Sequence, residues 1–458
     1  MAILLQNALA LSEGKPYSFS RKDVWIGEDG KIGKVEKAGL VKMKKRASGG
    51  AARKTGKRPD LDPKKSGPVS SSIEEKLDCS RKILLPGLIN AHTHASMSLL
   101  RAVADDLPLQ DWIHEEMRPR QIRLTPADVK TGAKLAMAEM IRSGTTCFND
   151  HYFHMDAVME AAEETGMRAC LGYSMIDMGD YDGAGRSELK IAREFAGKVI
   201  CAHDPLITAS IDPHAPNTCS PQLLRESAAL AKEMDCILHT HAAETRAELA
   251  FTLKNSKKRP IQLLDDCGCL GPKTILAHGV YVSKSEVGLI AKKGASLAHC
   301  PVSNLKLANG GAAPIPEYLA AGANVALGTD GAASNNSLDL FESMKVGAIE
   351  QKNFRFDPTA VTADDYLCMA TEGGAKALGI KAGKISPGYA ADLVLLDGRA
   401  PNLVPFQNHA GWLAYAAGPQ NVTDVMVAGK WLMREKELVT LDEEKIMDEA
   451  QRIAGKLG

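Results

Sequence analysis

The 458-residue chain has no apolar run approaching the ~18 residues that a membrane span needs, so no membrane partner is expected. It also has no CxxC pair. Its ten cysteines (Cys79, Cys147, Cys170, Cys201, Cys219, Cys236, Cys267, Cys269, Cys300 and Cys368) are scattered, and they read as reduced, mostly buried small hydrophobes of a cytoplasmic protein. The close pair Cys267/Cys269 is either a plain turn or a thiol pair holding a metal, and two thiols alone make a poor site. No basic stretch precedes the apolar start and no cleavage site follows it, so a secretory leader is not expected. Net charge is absent too: 56 basic residues balance 56 acidic ones, which implies no nucleic-acid partner for the chain as a whole. That zero hides an asymmetry, because residues 31–65 hold 13 Lys/Arg against 3 Asp/Glu, leaving −10 on the remainder.

What is present is 45% apolar and 24% charged residues, ordinary for a globular chain with a large core. The length exceeds one small domain, although α/β barrels run larger as single units. Residues 2–33 alternate like a small β meander with an Asp-Gly turn at Asp29–Gly30. Residues 41–75, rich in Lys, Gly, Ser and Pro, cannot bury enough surface to offset chain entropy and read as a mobile loop. They are either a solvated insertion or an electrostatic collector for anions or RNA. From residue 83, eight short apolar runs alternate with longer stretches of helical spacing, among them one opening on Ser220-Pro221, an N-cap followed by proline. Eight strand–helix units over about 300 residues predict an α/β fold, a (β/α)₈ TIM-type barrel. After residue ~385 the pattern returns to β character. The expected organisation is residues 1–84 as the first part of a small β-sandwich, 85–385 as the barrel, and 386–458 as the rest of the sandwich with a terminal helix.

Four features at predicted strand ends carry chemistry. His92 and His94 close an apolar strand, and a period of two sends both imidazoles to one face. His241 ends Cys236-Ile237-Leu238-His239-Thr240-His241, with Glu244 three residues on; His278 ends another run, and Asp330 a fourth. Singly, each is as readily a satisfied core histidine or a turn aspartate. Jointly they converge on the C-terminal face, where barrel active sites lie. His239 shares the period of His241 and is the alternative ligand; the strand end and Glu244 favour His241.

The stretches Pro86–Trp112, His239–Glu244, Asn304–Gly310 and Leu327–Glu342 resemble the amidohydrolase superfamily, and more narrowly its deaminases of S-adenosylhomocysteine, methylthioadenosine and 5′-deoxyadenosine. The resemblance runs from residue 1 to about 435, interrupted by the basic segment. It implies His92, His94, His241 and Asp330 as ligands of one metal ion, with Glu244 as proton shuttle and His278 as water-orienting histidine. It implies that His214, in Asp212-Pro213-His214, contacts the bound nucleoside, and that relatives of this kind are often homo-oligomers. Three neutral imidazoles and a carboxylate suit Zn²⁺, with Fe²⁺ or Mn²⁺ also fitting. The expected reaction is hydrolytic deamination of a small-molecule nucleoside, with Glu244, His278 and Asp330 acting at the reacting centre and no organic cofactor.

Two departures bear on substrate. Where nucleoside deaminases resembling this chain carry a ribose-binding glutamate, this chain has Gln121, which loses the charge-assisted contact to a diol; s-triazine chlorohydrolases are similar in having glutamine. Tyr173 stands where some S-adenosylhomocysteine deaminases have an arginine for the carboxylate, although Arg186 matches a second such arginine or is a solvated surface residue. Trp112 is a pocket wall or a core residue, and His151 and His154 line the cavity or pack. The leading expectation is a deaminase of 5′-modified adenosines (methylthioadenosine, 5′-deoxyadenosine, S-adenosylhomocysteine or adenosine). The alternative is an aminohydrolase or chlorohydrolase of another heteroaromatic, such as an s-triazine, pterin or guanine-like base. A non-catalytic, RNA-associated scaffold is the reading from another class, and the intact ligand set with Glu244 argues against it.

Overall fold

The computed structural model describes residues 2–39, 73–107, 109–178 and 188–457. The expected mobile loop at 41–75 falls almost wholly outside them, as does Arg186.

The N-terminal segment forms β1 (Ile3–Leu11), β2 (Phe19–Ile26), β3 (Ile32–Lys37), β4 (Glu75–Asp78) and β5 (Lys82–Pro86). The barrel follows as β6 (Leu88–Thr93), β7 (Thr145–Tyr152), β8 (Arg168–Met175), β9 (Ile207–Pro213), β10 (Ile237–Ala242), β11 (Thr274–His278), β12 (Ser296–His299) and β13 (Asn324–Leu327). β14 (Leu393–Asp397), β15 (Val422–Val427), β16 (Lys430–Arg434) and β17 (Glu437–Leu438) return to the first sheet. That sheet runs β17-β16-β15-β14-β5-β1-β2-β3 with β4 also on β1, so both termini build one nine-stranded layer. β14 pairs antiparallel with β5 from Leu393↔Pro86 to Asp397↔Lys82.

The apolar run Ile83–His94 is two strands rather than one. Gly87 separates them, because a Cβ there would lie 2.0 Å from the Thr146 side chain. The chain therefore leaves the terminal sheet at Pro86 and enters the barrel at Leu88. Ser220 caps the helix Pro221–Glu233 by accepting from the Leu223 amide (3.1 Å).

The eight barrel strands are consecutive and parallel. The β6–β13 seam is closed largely by side chains: Asn90 donates to Thr329 Oγ1 (2.7 Å) and accepts from the Thr329 amide (3.0 Å), while the Asp330 amide donates to the His92 carbonyl (3.0 Å). Ile89, Cys147, Cys170, Ile237, Ile275, Ala298 and Ala326, near the strand starts, form a separate buried apolar cluster. The strand ends opposite carry the histidines. Barrel and sheet are joined by Arg168, which reaches Asp392 through Nε (2.8 Å) and Nη2 (3.1 Å). Among the described residues no helix is long and apolar enough to cross a membrane.

Candidate active site

β6 delivers His92 and His94, β10 delivers His241, and Asp330 follows β13. His92 Nε2 lies 3.5 Å and His94 Nε2 3.3 Å from Asp330 Oδ1, and His241 Nε2 lies 3.3 Å from His94 Nε2. The structure thus gathers all four expected residues at one point. His278 (φ 74°), the last residue of β11, and Asp330 (φ 62°), just past β13, both sit in the left-handed region, a strained conformation that aims each side chain at the shared gap.

The second ring nitrogens are already engaged. His94 Nδ1–H donates to the His151 carbonyl (2.5 Å) and His241 Nδ1–H to the His214 carbonyl (2.7 Å). Each bond fixes the tautomer and leaves the Nε2 lone pair facing the gap. Two such lone pairs 3.3 Å apart, with the orphaned buried Nε2 of His92 beside them, form a donor set that a cation satisfies. Asp330 is held by Ser303 Oγ (2.6 Å) and Ser334 Oγ (2.8 Å) on Oδ2 and by the Gly331 amide (2.7 Å) on Oδ1. Burial pushes its carboxyl up, but the His92 contact and the nearby His94, His92 and His278 rings prevail and hold it well below the usual range. Burial drives His92 and His241 well below the ordinary imidazole value, which keeps them neutral and able to ligate.

Glu244 follows β10 and accepts from Asn309 Nδ2 (3.2 Å), with Oε2 3.9 Å from His278 Nε2. His278 Nδ1 is 2.9 Å from Asn304 Oδ1, which turns its Nε2 toward Glu244. Burial lowers the His278 pKa, but Glu244 and Asp330 outweigh it and the net shift is upward.

Glu248 was missed by sequence reasoning. It is buried, and its two oxygens accept the Ala243 (2.9 Å) and Glu244 (2.7 Å) amides, pinning the turn that presents Glu244. The signal was in the sequence: Thr245-Arg246-Ala247-Glu248 has the spacing of a capping box, and Thr245 caps the helix Arg246–Ser256.

The cavity over this centre is lined by Met97, Trp112, Met117, Gln121, Tyr152, Ile176 and His214, among others. Trp112 is a buried wall residue whose Nε1–H donates to the Val103 carbonyl (3.3 Å). Trp112–Met117 forms a π-helical turn, and that wider spacing lets two residues five apart both face the cavity. Gln121 Nε2 donates to Tyr152 Oη (3.1 Å), and His214 Nδ1 is 2.8 Å from Thr218 Oγ1. Tyr173 stands off the cavity lining, half-buried and edge-on to Phe153 at 6.3 Å. His151 is buried and lines the cavity, whereas His154 is exposed. Cys267 and Cys269 each approach a backbone carbonyl, Pro221 and Leu224 respectively, in a turn.

A barrel whose strand ends bring three imidazoles, an aspartate and a glutamate to one point belongs to a known class. The chain belongs to the amidohydrolase family, whose sequence profile matches residues 83–432. That family is metal-dependent. Among its relatives, the chain is 43% identical over 381 residues to the 5′-deoxyadenosine deaminase of Methanothermobacter thermautotrophicus, covering 83% of this chain and 89% of that one. It is 44% identical over 382 residues to the 5-methylthioadenosine/S-adenosylhomocysteine deaminase of Moorella thermoacetica, covering 83% and 88%. The crystal structure of an adenosine deaminase from Xanthomonas campestris with bound zinc superposes with a TM-score of 0.89 at 32% identity, covering 99% of this chain and 98% of that one.

Proposed function

We propose that the chain is a hydrolytic deaminase of 5′-modified adenosines, releasing ammonia and the corresponding inosine analogue. The observation that carries this reading is the single gathering of His92, His94, His241 and Asp330 with Glu244 and His278 beneath one cavity. His92, His94, His241 and Asp330 would hold one divalent ion, and a borderline donor set of this kind suits Zn²⁺, with Fe²⁺ or Mn²⁺ as alternatives. When bound, such an ion supplies Lewis acidity that brings the pKa of water down to about 7.

The chain's own side chains do the rest. Glu244 would take a proton from the attacking water and give it to the ring nitrogen, and the second proton of that water would pass to the amine, which leaves as ammonia; general acid–base help of this kind contributes about 10²–10⁴-fold. Glu248 holds Glu244 in place, while His278, anchored at Asn304, and Asp330, anchored at Ser303 and Ser334, would orient the attacking water. His214 and Trp112 would contact the nucleoside.

The 43–44% relatives acting on 5′-deoxyadenosine and 5-methylthioadenosine/S-adenosylhomocysteine support 5′-modified adenosines as the substrate class. Gln121 favours a second reading, a different amino- or halo-substituted heteroaromatic, because its amide cannot hold a diol as a carboxylate does. A panel of adenosine derivatives separates the two. Ammonia release with loss of absorbance at the adenine band is expected from 5′-deoxyadenosine or methylthioadenosine. Silence across the panel, with release from guanine, pterins or triazines, would move the assignment to the second reading.

A further inference from the structure

The turn that presents Glu244 is clamped from two sides, and Glu248 supplies only one of them. Ala243, a non-glycine residue at φ 53°, holds a conformation that costs energy and persists where its surroundings over-determine it. Glu248 takes the Ala243 amide (2.9 Å), and the Ala243 carbonyl accepts the main-chain N–H of Tyr281 (2.7 Å), just past His278. Tyr281 is half-buried and packs on the core. Packing asks nothing of its polar groups, yet all three are engaged. Its carbonyl accepts from Arg259 Nη2 (2.8 Å), and that guanidinium is fixed through Nε by the buried Glu286 (2.6 Å). Its hydroxyl donates to the Asn309 carbonyl (2.5 Å). The chain leaves room for that bond at Gly310 (φ 89°), where a Cβ would come within 2.6 Å of Tyr281 Oη.

Asn309 is where this anchoring reaches the chemistry. It is buried, and its Nδ2 donates to Glu244 Oε1 (3.2 Å) and to Asn304 Oδ1 (3.4 Å). The same Asn304 oxygen lies 2.9 Å from His278 Nδ1. Among the described residues Asn309 is the one side-chain donor to Glu244. It belongs to no helix or strand, so the direction of its side chain depends on what holds its main chain. Its amide donates to the Asn304 carbonyl (3.0 Å), and its carbonyl is held by the Tyr281 hydroxyl. With that hydroxyl gone, the Asn309 peptide is free to turn and carries its carboxamide away from Glu244.

We infer that Tyr281 is a positioning residue for Glu244. Its amide fixes the turn before Glu244, and its hydroxyl fixes the loop from which Asn309 holds the Glu244 carboxylate. The inference rests on the proposed role of Glu244 as the group that transfers the proton. Phenylalanine in place of Tyr281 keeps the main-chain bonds and the packing, so that change isolates the hydroxyl. Neither Tyr281 nor Asn309 is among the described residues lining the cavity, so the hydroxyl serves turnover rather than substrate binding.

Steady-state ammonia release from 5′-deoxyadenosine tests this in the zinc-loaded native chain, Tyr281→Phe, Asn309→Ala, the double variant and Glu244→Gln. Tyr281→Phe should lower kcat about 10-fold, with KM and zinc content little changed. Asn309→Ala should lower kcat at least as far. In that background Tyr281→Phe should be nearly silent, because the hydroxyl acts through the Asn309 carboxamide; a merely structural role would give additive losses. In crystals of Tyr281→Phe, Asn309 Nδ2 should stand beyond hydrogen-bond reach of Glu244. Native kcat in Tyr281→Phe or in Asn309→Ala, additive losses, or an unmoved Asn309–Glu244 contact overturns the inference, and the Asn309→Ala arm decides it even if Tyr281→Phe fails to fold. An inactive Glu244→Gln beside a fully active Tyr281→Phe removes this inference alone, whereas native turnover in Glu244→Gln removes the proton-transfer reading and this inference with it. If the native chain leaves 5′-deoxyadenosine unchanged, the substrate reading fails and the crystal contact still decides the inference.

Discussion

At the scale of single residues, the centre separates tightly bonded groups from the one proposed to move a proton. Asp330 is bonded by two hydroxyls and an amide, and its carboxyl is held ionised. Glu244 is less confined, with one side-chain donor at 3.2 Å, which suits a carboxyl that must gain and lose a proton. Replacing Glu244 by Gln keeps the shape and the contact to Asn309 but ends the shuttle. Glu244→Gln should bind zinc as the native chain does while turnover falls by at least about 10²-fold, checked by metal analysis and ammonia release on the same preparation. Near-native turnover would remove Glu244 from the proton path. The four residues that gather at the centre were legible in the sequence because each ends an apolar run, and strand ends are where a barrel gathers chemistry. The buried Asp212 was not: within Asp212-Pro213-His214 nothing local distinguishes from a turn residue an acid whose carboxylate lies 3.7 Å from the imidazoles of His151 on β7 and His239 on β10.

At the scale of elements, strand ends and the turns after them set the geometry. The turn Ala242–Thr245 owes its shape to Glu248, whose two oxygens take two consecutive amides. A glutamine there accepts on one atom only and sets its NH₂ against the other amide. Glu248→Gln should therefore loosen Glu244 and lower kcat by about 10-fold or more with KM little changed, since mispositioned catalytic groups lose rate before binding. Equal kcat in steady-state assays would show that the turn holds without it. The strands themselves were readable from their apolar runs, but the break at Gly87 was not, because it depends on the approach of Thr146 from β7. The π-helical turn at Trp112–Met117 also lay beyond a reading that assumes 3.6 residues per turn.

At the scale of the whole molecule, the terminal strands and the barrel are tied by polar joints as well as by core. Arg168 and Asp392 form a bidentate pair whose side chains are 11% and 1% exposed, and Asp392 Oδ1 also accepts the Ala428 amide (2.8 Å). Removing the acid leaves the guanidinium buried without its counter-charge. Asp392→Ala should destabilise the chain by about 3–5 kcal/mol in denaturant unfolding, whereas a loss under about 1 kcal/mol would mean that the joint is wet. That the two termini share one sheet was readable from β character at both ends of the chain. The pairing of β14 with β5 was not, since register is decided by which faces bury together.

The claim on which the function depends is that four residues from three distant strands surround one divalent ion. Anomalous diffraction at the zinc edge from crystals of the zinc-loaded chain tests it directly. One peak within bonding distance of His92 Nε2, His94 Nε2, His241 Nε2 and an Asp330 oxygen is expected; a peak placed elsewhere, or none at those four atoms, would contradict it.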